Sequence, residues 1–356
     1  MKDTKGLLLM TSIFTGKKFI LLLISLSFFF SLIIASCEDK PSNYNQRGNY
    51  TQAGQQEVED LNSEQKEPIG DAVSETEEIM GIEKGTLDVQ WIHGSDNCNQ
   101  DANPPIQVHQ YSSSVVIMRQ NKCINFEAPF MYLIMGSVKA LLVDSGATGN
   151  AAQFPIEQIV EAELQRYYGV RRNEIMLVVA HSHGHGDHVA GDGQFQDKPN
   201  TVIVGTNQQQ VSQFFNIDNW PVDIGLYDLG DRMIEIHPIP GHQGTDIAIY
   251  DPKTQLLLTG DSLYPGRIYV NQWEVLRTSM QRLAAYFQNK PVAHVLGAHI
   301  EMSATPGQDY PIGTTFQPNE HVLQLTGATL QLLNTELQNI GPNPMRKVTD
   351  SFIISP

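Results

Sequence analysis

The sequence predicts an α/β domain, over residues 86–356, in which helices cover layers of β-sheet. Short β-rich apolar runs come first, near Val115 and Phe130. Further apolar runs then alternate with amphipathic helical patterns, and the region is long enough for one sizeable core. Strands interleaved with helices are typical of sheet layers that bury one face against helices.

The first half of this region contains the elements that lead to the most distinctive motif. The runs VVIMR, FMYLIM and KALLVD predict strands, and the last of them ends at Asp144. A helix is expected over residues 155–168, because proline suits a first turn and Ile156, Val160 and Leu164 recur at helical spacing. The run IMLVVA predicts the next strand.

The second half continues the alternation. The runs TVIVG, MIEIHPI, DIAIY, QLLLTG and AHVLGA predict strands. A helix is expected from about Trp273 to Asn289, with Leu276 and Met280 on its apolar face. A final helix is expected around residues 321–340, with a last strand near Phe352.

A histidine-rich motif directly follows the strand IMLVVA. Within AHSHGHGDHVAG, six consecutive residues contain four potential metal ligands in the order H-x-H-x-D-H: His183, His185, Asp187 and His188. Three more candidates follow strand-like runs, each within two residues of a glycine: His242, Asp261 and His299. Strand ends beside tight turns are where functional side chains often project. Seven ligands in this order suggest two metal ions.

The donor types indicate the chemistry. Imidazole and carboxylate groups suit zinc, and also iron or manganese, and a site without thiolate keeps its metal Lewis acidic. The remaining histidines have weaker contexts. Three lie in or beside apolar runs and are interpreted as packing or supporting residues: His181, His237 and His294. Three others are interpreted as solvated: His93, His109 and His321.

This motif set, with LLVDSGA upstream, resembles the metallo-β-lactamase-fold hydrolase superfamily over roughly residues 115–299. The resemblance implies a four-layer αββα sandwich with the metal site at one edge, between two mixed β-sheets. It implies a first metal bound by His183, His185 and His242. It implies a second metal bound by Asp187, His188 and His299. Asp261 would bridge the two metals, and Asp144 would lie behind the ligands as a supporting residue.

The implied activity is metal-dependent hydrolysis. A hydroxide bridging two zinc ions would attack an ester, thioester, lactone or related bond, and Asp187 would orient the water or accept its proton. Two alternatives stay open: a persulfide-dioxygenase-like oxidoreductase with one iron, and a non-catalytic metal-binding lipoprotein. An Asp at position 261 resembles the thioesterase, lactonase and phosphodiesterase branches more than the true β-lactamases, so a true β-lactamase is not expected.

Candidates for substrate contact follow Asp261 in DSLYPGR. Tyr264 and Arg267 could donate hydrogen bonds to a developing oxyanion or to an acidic substrate group. The competing interpretation is that these residues only form the loop, with Arg267 paired to a carboxylate. The sequence favours neither interpretation over the other. Glu301 is a weaker candidate for a supporting role.

The N-terminus predicts export and a lipid anchor. Lysines precede the apolar segment FILLLISLSFFFSLIIAS, which ends directly before Cys37. Residues 1–36 therefore resemble a bacterial lipoprotein signal peptide, whose removal would leave Cys37 lipidated as the first residue. An uncleaved transmembrane anchor is the alternative. In both cases the chain would be held at a bacterial membrane, facing the periplasm or the cell surface.

Residues 37–85 are expected to form a disordered tether. From Glu38 to Gly85 the chain has 12 acidic and 4 basic residues with few large apolar groups, which cannot offset the entropy of ordering. The full chain has a formal charge of −16, and removing residues 1–36, with four lysines and one aspartate, makes it −19. This charge makes the chain a poor binder of nucleic-acid phosphates, so no nucleic-acid partner is expected. The partner expected from the implied hydrolysis is a small-molecule substrate.

Two cysteines remain beyond Cys37. Cys98 and Cys123 could form a disulfide in an exported domain, or stay as buried thiols. A bridge closing a loop of this length would contribute roughly 3 kcal/mol in the chain-entropy account.

Overall fold

The computed structural model describes residues 81–356. A first six-stranded mixed sheet begins the fold. Its strands, in spatial order, are β1 (Ile106–Gln110), β2 (Val115–Gln120), β3 (Phe130–Met135), β4 (Lys139–Val143), β5 (Met176–Ala180) and β6 (Thr201–Ile203). Strands β1 to β4 pair antiparallel, whereas β4, β5 and β6 pair parallel.

A second six-stranded mixed sheet comes from the C-terminal half of the domain. Its strands are β7 (Gly225–Asp228), β8 (Met233–Pro238), β9 (Ile247–Asp251), β10 (Leu256–Gly260), β12 (His294–Gly297) and β13 (Gln324–Leu325). The spatial order is β13-β12-β10-β9-β8-β7, and only the pair β10 and β12 is parallel. A small third sheet joins β11 (Arg267–Tyr269), β15 (Ile353–Ser355) and β14 (Lys347–Val348).

Five α-helices accompany these sheets in the described part of the chain. They are α1 (Ile156–Tyr168), α2 (Gly186–Val189), α3 (Gln208–Phe215), α4 (Trp273–Tyr286) and α5 (Gly327–Ile340). Short 3₁₀ turns follow α1 and α2 and also cover Cys98–Gln100.

Three apolar clusters define four layers. The first joins the facing sides of the two large sheets, for example Ile134 with Ile236. The second packs α1 against the outer side of the first sheet, through Val160 and Met118. The third packs α4 and α5 against the outer side of the second sheet. The order helix, sheet, sheet, helix confirms the αββα sandwich.

The structure corrects some element boundaries. The last helix begins at Gly327, not near His321, because Thr326 caps it by accepting a hydrogen bond from the Thr329 backbone N–H. Helix α4 ends at Tyr286, close to the expected Asn289. The sequence pattern did not indicate the helices α2 and α3 or the short strands β1, β7, β11, β13 and β14. These strands pair at sheet edges or in the small third sheet, and all except β1 are two to four residues long, too short to show an alternation.

The folded domain extends to the N-terminal side of the expected boundary at residue 86. Glu83 accepts hydrogen bonds from the Ser113 and Ser114 hydroxyls at 2.8 and 2.6 Å and lies 3.2 Å from Arg232. The sequence around Glu83 is polar, so only these tertiary contacts show that Glu83 belongs to the folded domain. The expected signal peptide, Cys37 and most of the expected tether lie outside the described residues. Within residues 81–356, no helix combines the length and apolarity needed to cross a membrane.

A disulfide joins Cys98 and Cys123, with Cα atoms 5.1 Å apart. It connects the 3₁₀ turn before β1 to the loop between β2 and β3, and this loop continues toward the site described next.

Candidate metal centre

The candidate ligands lie at the C-terminal ends of strands from both large sheets. The H-x-H-x-D-H motif follows β5, in the first sheet. His242, Asp261 and His299 follow β8, β10 and β12, in the second. The two sheets therefore present their strand ends at one shared edge. Gly260, with φ of 51°, allows the close approach there, because a Cβ at this position would lie 2.6 Å from Ser182 Cβ.

One group of ligands consists of three histidines, called here the three-histidine half: His183, His185 and His242. His183 Nε2 lies 2.9 Å from His185 Nδ1, and His242 Nε2 lies 3.1 Å from the same atom. His183 and His242 are buried, whereas His185 is partly exposed. Three imidazole nitrogens therefore converge on one point that solvent can reach.

The second group combines carboxylates and histidines and is called here the mixed half: Asp187, His188, Asp261 and His299. His299 Nε2 lies 3.3 Å from both Asp187 Oδ2 and Asp261 Oδ1. His188 Nε2 lies 3.4 Å from Asp187 Oδ2 and 3.6 Å from Asp261 Oδ1. The two carboxylates thus face both imidazoles.

Asp261 contacts the two halves through different oxygens. Its Oδ1 faces His188 and His299. Its Oδ2 lies 3.9 Å from His183 Nε2 and 3.7 Å from His242 Nε2. A carboxylate with one oxygen toward each donor set is arranged to bridge two cations.

Groups behind the ligands orient the imidazole rings. His188 Nδ1 lies 2.8 Å from Asp144 Oδ2, and the same carboxylate accepts hydrogen bonds from the Ser182 backbone and hydroxyl. Backbone carbonyls play this part elsewhere: His242 Nδ1 lies 2.8 Å from the Tyr269 oxygen, and His299 Nδ1 lies 2.9 Å from the Glu127 oxygen. Such partners hold the ring orientation and raise the basicity of the other nitrogen.

The two halves shift the pKa values of their histidines in opposite directions. Burial, helped by neighbouring imidazoles, lowers the pKa of His183 well below its ordinary value and also lowers the pKa of His185. In the mixed half burial opposes charge, yet Asp144 and Asp261 raise the pKa of His188 well above its ordinary value. His299 and His188 in turn hold the pKa of Asp261 well below its usual range, against the effect of burial. The mixed half therefore favours positive charge at its centre.

Unsatisfied atoms test whether metal ions fit this arrangement. Within the described residues, three buried polar atoms of the mixed half lack a hydrogen-bond partner: His188 Nε2, Asp261 Oδ1 and His299 Nε2. Buried polar atoms are normally satisfied. These three point toward one another and are nitrogen and oxygen donors of the kind that zinc prefers. The residues present fit bound metal ions.

Tyr264 and Arg267 lie in the wall behind the mixed half. Tyr264 is 2% exposed, packs edge-on against the His299 ring, and donates its hydroxyl to the Arg267 backbone carbonyl. The Arg267 guanidinium pairs with Glu301 at 2.8 Å and with Asp309 at 2.6 Å. Both polar groups therefore have partners inside the protein, with Arg267 paired to carboxylates as in the loop interpretation, and substrate contact by either residue stays a prediction. Glu301 accepts hydrogen bonds from the Arg267 backbone and guanidinium.

The other histidines occupy varied positions. His181 lies under the site, with Nδ1 3.2 Å from the His188 carbonyl, and His237 lies 3.1 Å from Glu235. His294 contacts the Tyr111 ring edge-on and is partly exposed. The three expected to be solvated are partly exposed: His93, His109 and His321.

Sequence reasoning missed Asp246. This carboxylate is 3% exposed, accepts a hydrogen bond from the Gln243 backbone at 2.7 Å, and lies 3.9 Å from His183 Nδ1. The sequence feature that could have indicated Asp246 is an acidic residue four positions after His242, directly before a buried strand. The supporting carbonyls of Glu127 and Tyr269 left no signal, because every residue has a carbonyl.

Residues 124–299 match the family model described as the Metallo-beta-lactamase superfamily. Curated relatives include hydroxyacylglutathione hydrolases of Rhizobium meliloti, 25% identical over 144 residues, and of Chromohalobacter salexigens, 28% identical over 166 residues. The first alignment covers 40% of this chain and 54% of the relative, and the second 45% and 58%. The chain thus spans about half the length of the curated relatives it matches.

A solved structure of a metallo-β-lactamase from Pontibacter korlensis is also similar. It aligns with 17% identity and a TM-score of 0.44, over 66% of this chain and 99% of that one.

Proposed function

We propose that this chain, whose residues 124–299 match the model of the Metallo-beta-lactamase superfamily, is a hydrolase that uses two zinc ions to cleave thioesters or related esters and lactones. The observation that supports this most is Asp261, which turns one oxygen toward each donor set. The relatives named hydroxyacylglutathione hydrolase make thioesters the first substrates to test.

Each half would hold one ion. His183, His185 and His242 would bind the first, and the mixed half the second, with Asp261 contacting both. Bound zinc would supply Lewis acidity and lower the pKa of water to about 7. Asp144 and the carbonyls of Glu127 and Tyr269 would keep the donor nitrogens aimed inward.

Asp187 is the residue placed to handle the proton of water. It is the more exposed carboxylate of the mixed half, at 22% against 11% for Asp261. In hydrolysis the water oxygen would form a bond to the substrate carbonyl carbon and one water proton would pass to Asp187. The bond from that carbon to the sulfur or oxygen of the leaving group would then break, and the leaving thiol or alcohol would take the proton from Asp187. Asp261 is buried between the halves and would bind without exchanging protons.

The test is metal content followed by a substrate panel. The chain would be purified without chelator or nickel, analysed by plasma mass spectrometry, and assayed with S-D-lactoylglutathione, simple esters and lactones. About two zinc ions per chain and hydrolysis that disappears on chelation and returns with zinc are expected. One iron per chain with oxygen consumption on a persulfide substrate would overturn the proposal, as would no metal uptake.

We also propose that the chain is exported and anchored to a bacterial membrane through lipid on Cys37, facing the periplasm or cell surface. The support is the sequence of residues 1–37 alone. Cys37→Ser should leave an unprocessed precursor that takes up no radiolabelled fatty acid. Normal maturation of this variant would exclude the lipoprotein assignment.

A further inference from the structure

The loop between β2 and β3, residues 121–129, supports one ligand of the mixed half. The backbone carbonyl of Glu127 in this loop lies 2.9 Å from His299 Nδ1 and accepts its hydrogen bond. A carbonyl can orient an imidazole ring only while its own peptide unit is held in place. The orientation of His299 therefore depends on the contacts that hold this loop.

The backbone of the loop is strained beside this carbonyl. Ala128, directly after Glu127, has φ of 45°, in the left-handed region that residues with a Cβ rarely adopt. Such conformations persist where surrounding contacts impose them, and they gather at functional sites. This φ angle orients the peptide unit that contains the Glu127 carbonyl. Without outside contacts, relaxation at Ala128 would turn the carbonyl away from His299.

The two ends of the loop are attached to other segments. Near its start, Cys123 forms the disulfide with Cys98. After its end, the Phe130 backbone N–H donates to the Ala298 carbonyl at 2.7 Å. Residues 124–128, which include the strained alanine, lie between these two attachments and need a contact of their own.

Asn125 supplies that contact. Its Oδ1 accepts a hydrogen bond from the Glu127 backbone N–H at 3.0 Å, and its backbone carbonyl accepts one from the Ala128 N–H at 3.1 Å. Its Nδ2 donates to the Ala147 carbonyl at 3.1 Å. Among the described residues, this last bond is the one hydrogen bond from a side chain of residues 124–129 to another segment.

The bond to Ala147 connects the loop to the support of the other histidine of the mixed half. Ala147 lies three residues after Asp144, whose carboxylate is 2.8 Å from His188 Nδ1. Ala147 is itself held, because its backbone N–H donates to Gln120 Oε1 at 2.8 Å. The supports of both histidines of the mixed half therefore meet at the side chain of Asn125.

The three-histidine half is supported elsewhere. His242 is oriented by the carbonyl of Tyr269, which belongs to β11 in the small third sheet. Within residues 81–356, Asn125 makes no hydrogen bond to this support. An effect transmitted through Asn125 should therefore appear in one half of the metal centre only.

We propose that Asn125 is a positioning residue for the mixed half, where it keeps the nitrogens of His188 and His299 aligned for one zinc ion. It makes no hydrogen bond to either histidine and acts through the Glu127 carbonyl and the segment that begins at Asp144. This assignment rests on the proposed function for the zinc ions, but not for the substrate.

The first test measures zinc affinity by competition titration with a chromophoric chelator. The two zinc dissociation constants are assigned to the halves with Asp144→Asn, which removes a charge behind His188. Asn125→Ala should weaken the same constant as Asp144→Asn by about tenfold or more, and should leave the other within about twofold. Equal weakening of both constants, or of neither, would overturn the proposal.

Two further variants separate positioning from a general loss of structure. Asn334→Ala removes the same side chain from α5, where it accepts a hydrogen bond from Gln338, and should change neither constant. Asn125→Ser keeps a hydroxyl that can accept from the backbone N–H two residues ahead, but it is too short to replace the bond to Ala147. Its constant for the mixed half should lie between those of the wild type and Asn125→Ala. A serine variant no better than alanine would contradict the assignment.

A measurement on the metal-free protein distinguishes this proposal from the proposed function. With histidine labelled by nitrogen-15, the His299 Nδ1–H should give a slowly exchanging NMR signal, because the Glu127 carbonyl holds it. In Asn125→Ala this proton should exchange with water about tenfold faster or more, whereas that of His242 should be unchanged. An unchanged His299 signal would overturn the positioning assignment even if zinc-dependent hydrolysis is found. If the protein binds no zinc but Asn125→Ala alters the His299 signal in this way, the proposed function fails and the positioning of His299 stands.

Discussion

The two halves of the metal centre share one sheet edge but are built on different principles. The three-histidine half offers neutral nitrogens, and burial lowers the pKa of His183 and His185, so their lone pairs are free at neutral pH. In the mixed half Asp187 and Asp261 supply negative charge, and His188 has a raised pKa. In the first half, burial keeps the histidine nitrogens neutral and able to bind a cation. In the second half, the negative charge of the carboxylates attracts the cation. A cation suits both, for different reasons.

Their supports differ as well. His242 depends on one backbone carbonyl, which substitution does not remove. His188 depends on the Asp144 carboxylate, which a single substitution removes. The mixed half should therefore be more sensitive to mutation. Asp261 is the exception, since it faces both halves.

The largest effect is expected for Asp261→Ala. Because this carboxylate faces both donor sets, its removal should deplete both metals and lower kcat/KM about 10³-fold or more, equivalent to several kcal/mol of lost stabilisation. Metal analysis and thioester hydrolysis measure this. Asp309→Asn, in the wall behind the site, is the control and should keep its metals. Full metal content in the Asp261 variant would remove the bridging assignment.

Asp187→Ala should affect the mixed half alone. The protein should keep about one metal ion, and turnover should fall about 10²-fold or more because the proton acceptor is also lost. Plasma mass spectrometry and single-turnover kinetics measure the two effects. Full activity in this variant would exclude two-metal hydrolysis.

Asp144→Asn tests the supports of the two halves. The loss of charge behind His188 should weaken metal affinity of the mixed half about 10–100-fold. Asp246→Asn is the matched change beside the three-histidine half, where the carboxylate is 3.9 Å from His183 and makes no hydrogen bond to it. Its effect on affinity should be smaller. Metal competition titrations compare the variants, and equal effects would contradict the difference drawn between the halves.

Tyr264→Phe distinguishes a wall residue from a substrate contact. The buried hydroxyl donates to the Arg267 carbonyl, so its loss should lower the free energy of unfolding by about 1–3 kcal/mol. KM should stay within about twofold of the wild-type value, because the hydroxyl is bonded to Arg267 and Glu301 inside the wall. Urea unfolding and steady-state kinetics provide both numbers. A tenfold rise in KM would restore the substrate-contact role.

The smallest effect concerns acid stability of β8, the strand that leads to His242. Burial opposes ionisation of Glu235, but hydrogen bonds from His237, Tyr286 and Lys290 hold its pKa at about 2, below the ordinary 4.5. The stability that the ionised Glu235 carboxylate contributes is complete above pH 4.5 and is lost as the pH falls toward 2. Glu235 is partly exposed, so we expect about 1 kcal/mol or less.

The measurement compares Glu235→Gln with the wild type by urea unfolding at pH 7 and pH 4, both proteins free of metal. The stability difference between them should shrink at pH 4. A difference independent of pH would show that the glutamate contributes no charge-dependent stability.

Much of the fold followed from local pattern. Strands β2 to β5, β9 and β10 are mainly apolar runs because both of their faces are covered, β8 alternates apolar and polar residues, and α1 and α4 show helical spacing. The strands of two to four residues were missed because so few residues carry little periodicity. Strand β1 and helix α3 were missed although Ile106 and Val108 alternate with polar residues and Val211, Phe214 and Phe215 stand at helical spacing. The start of α5 was placed too early because its boundary depends on the Thr326 cap.

The sequence by itself determined the ligand types and their positions after strand ends, since H-x-H-x-D-H and the three distal residues can be recognised locally. Only the tertiary structure decided how Asp261 divides its oxygens, that Tyr264 and Arg267 are wall residues, and that Asn125 lies between two supports of the mixed half. These properties depend on distances between segments far apart in the chain, and on backbone carbonyls that every residue possesses. A local pattern specifies which groups are available, and packing specifies which groups meet.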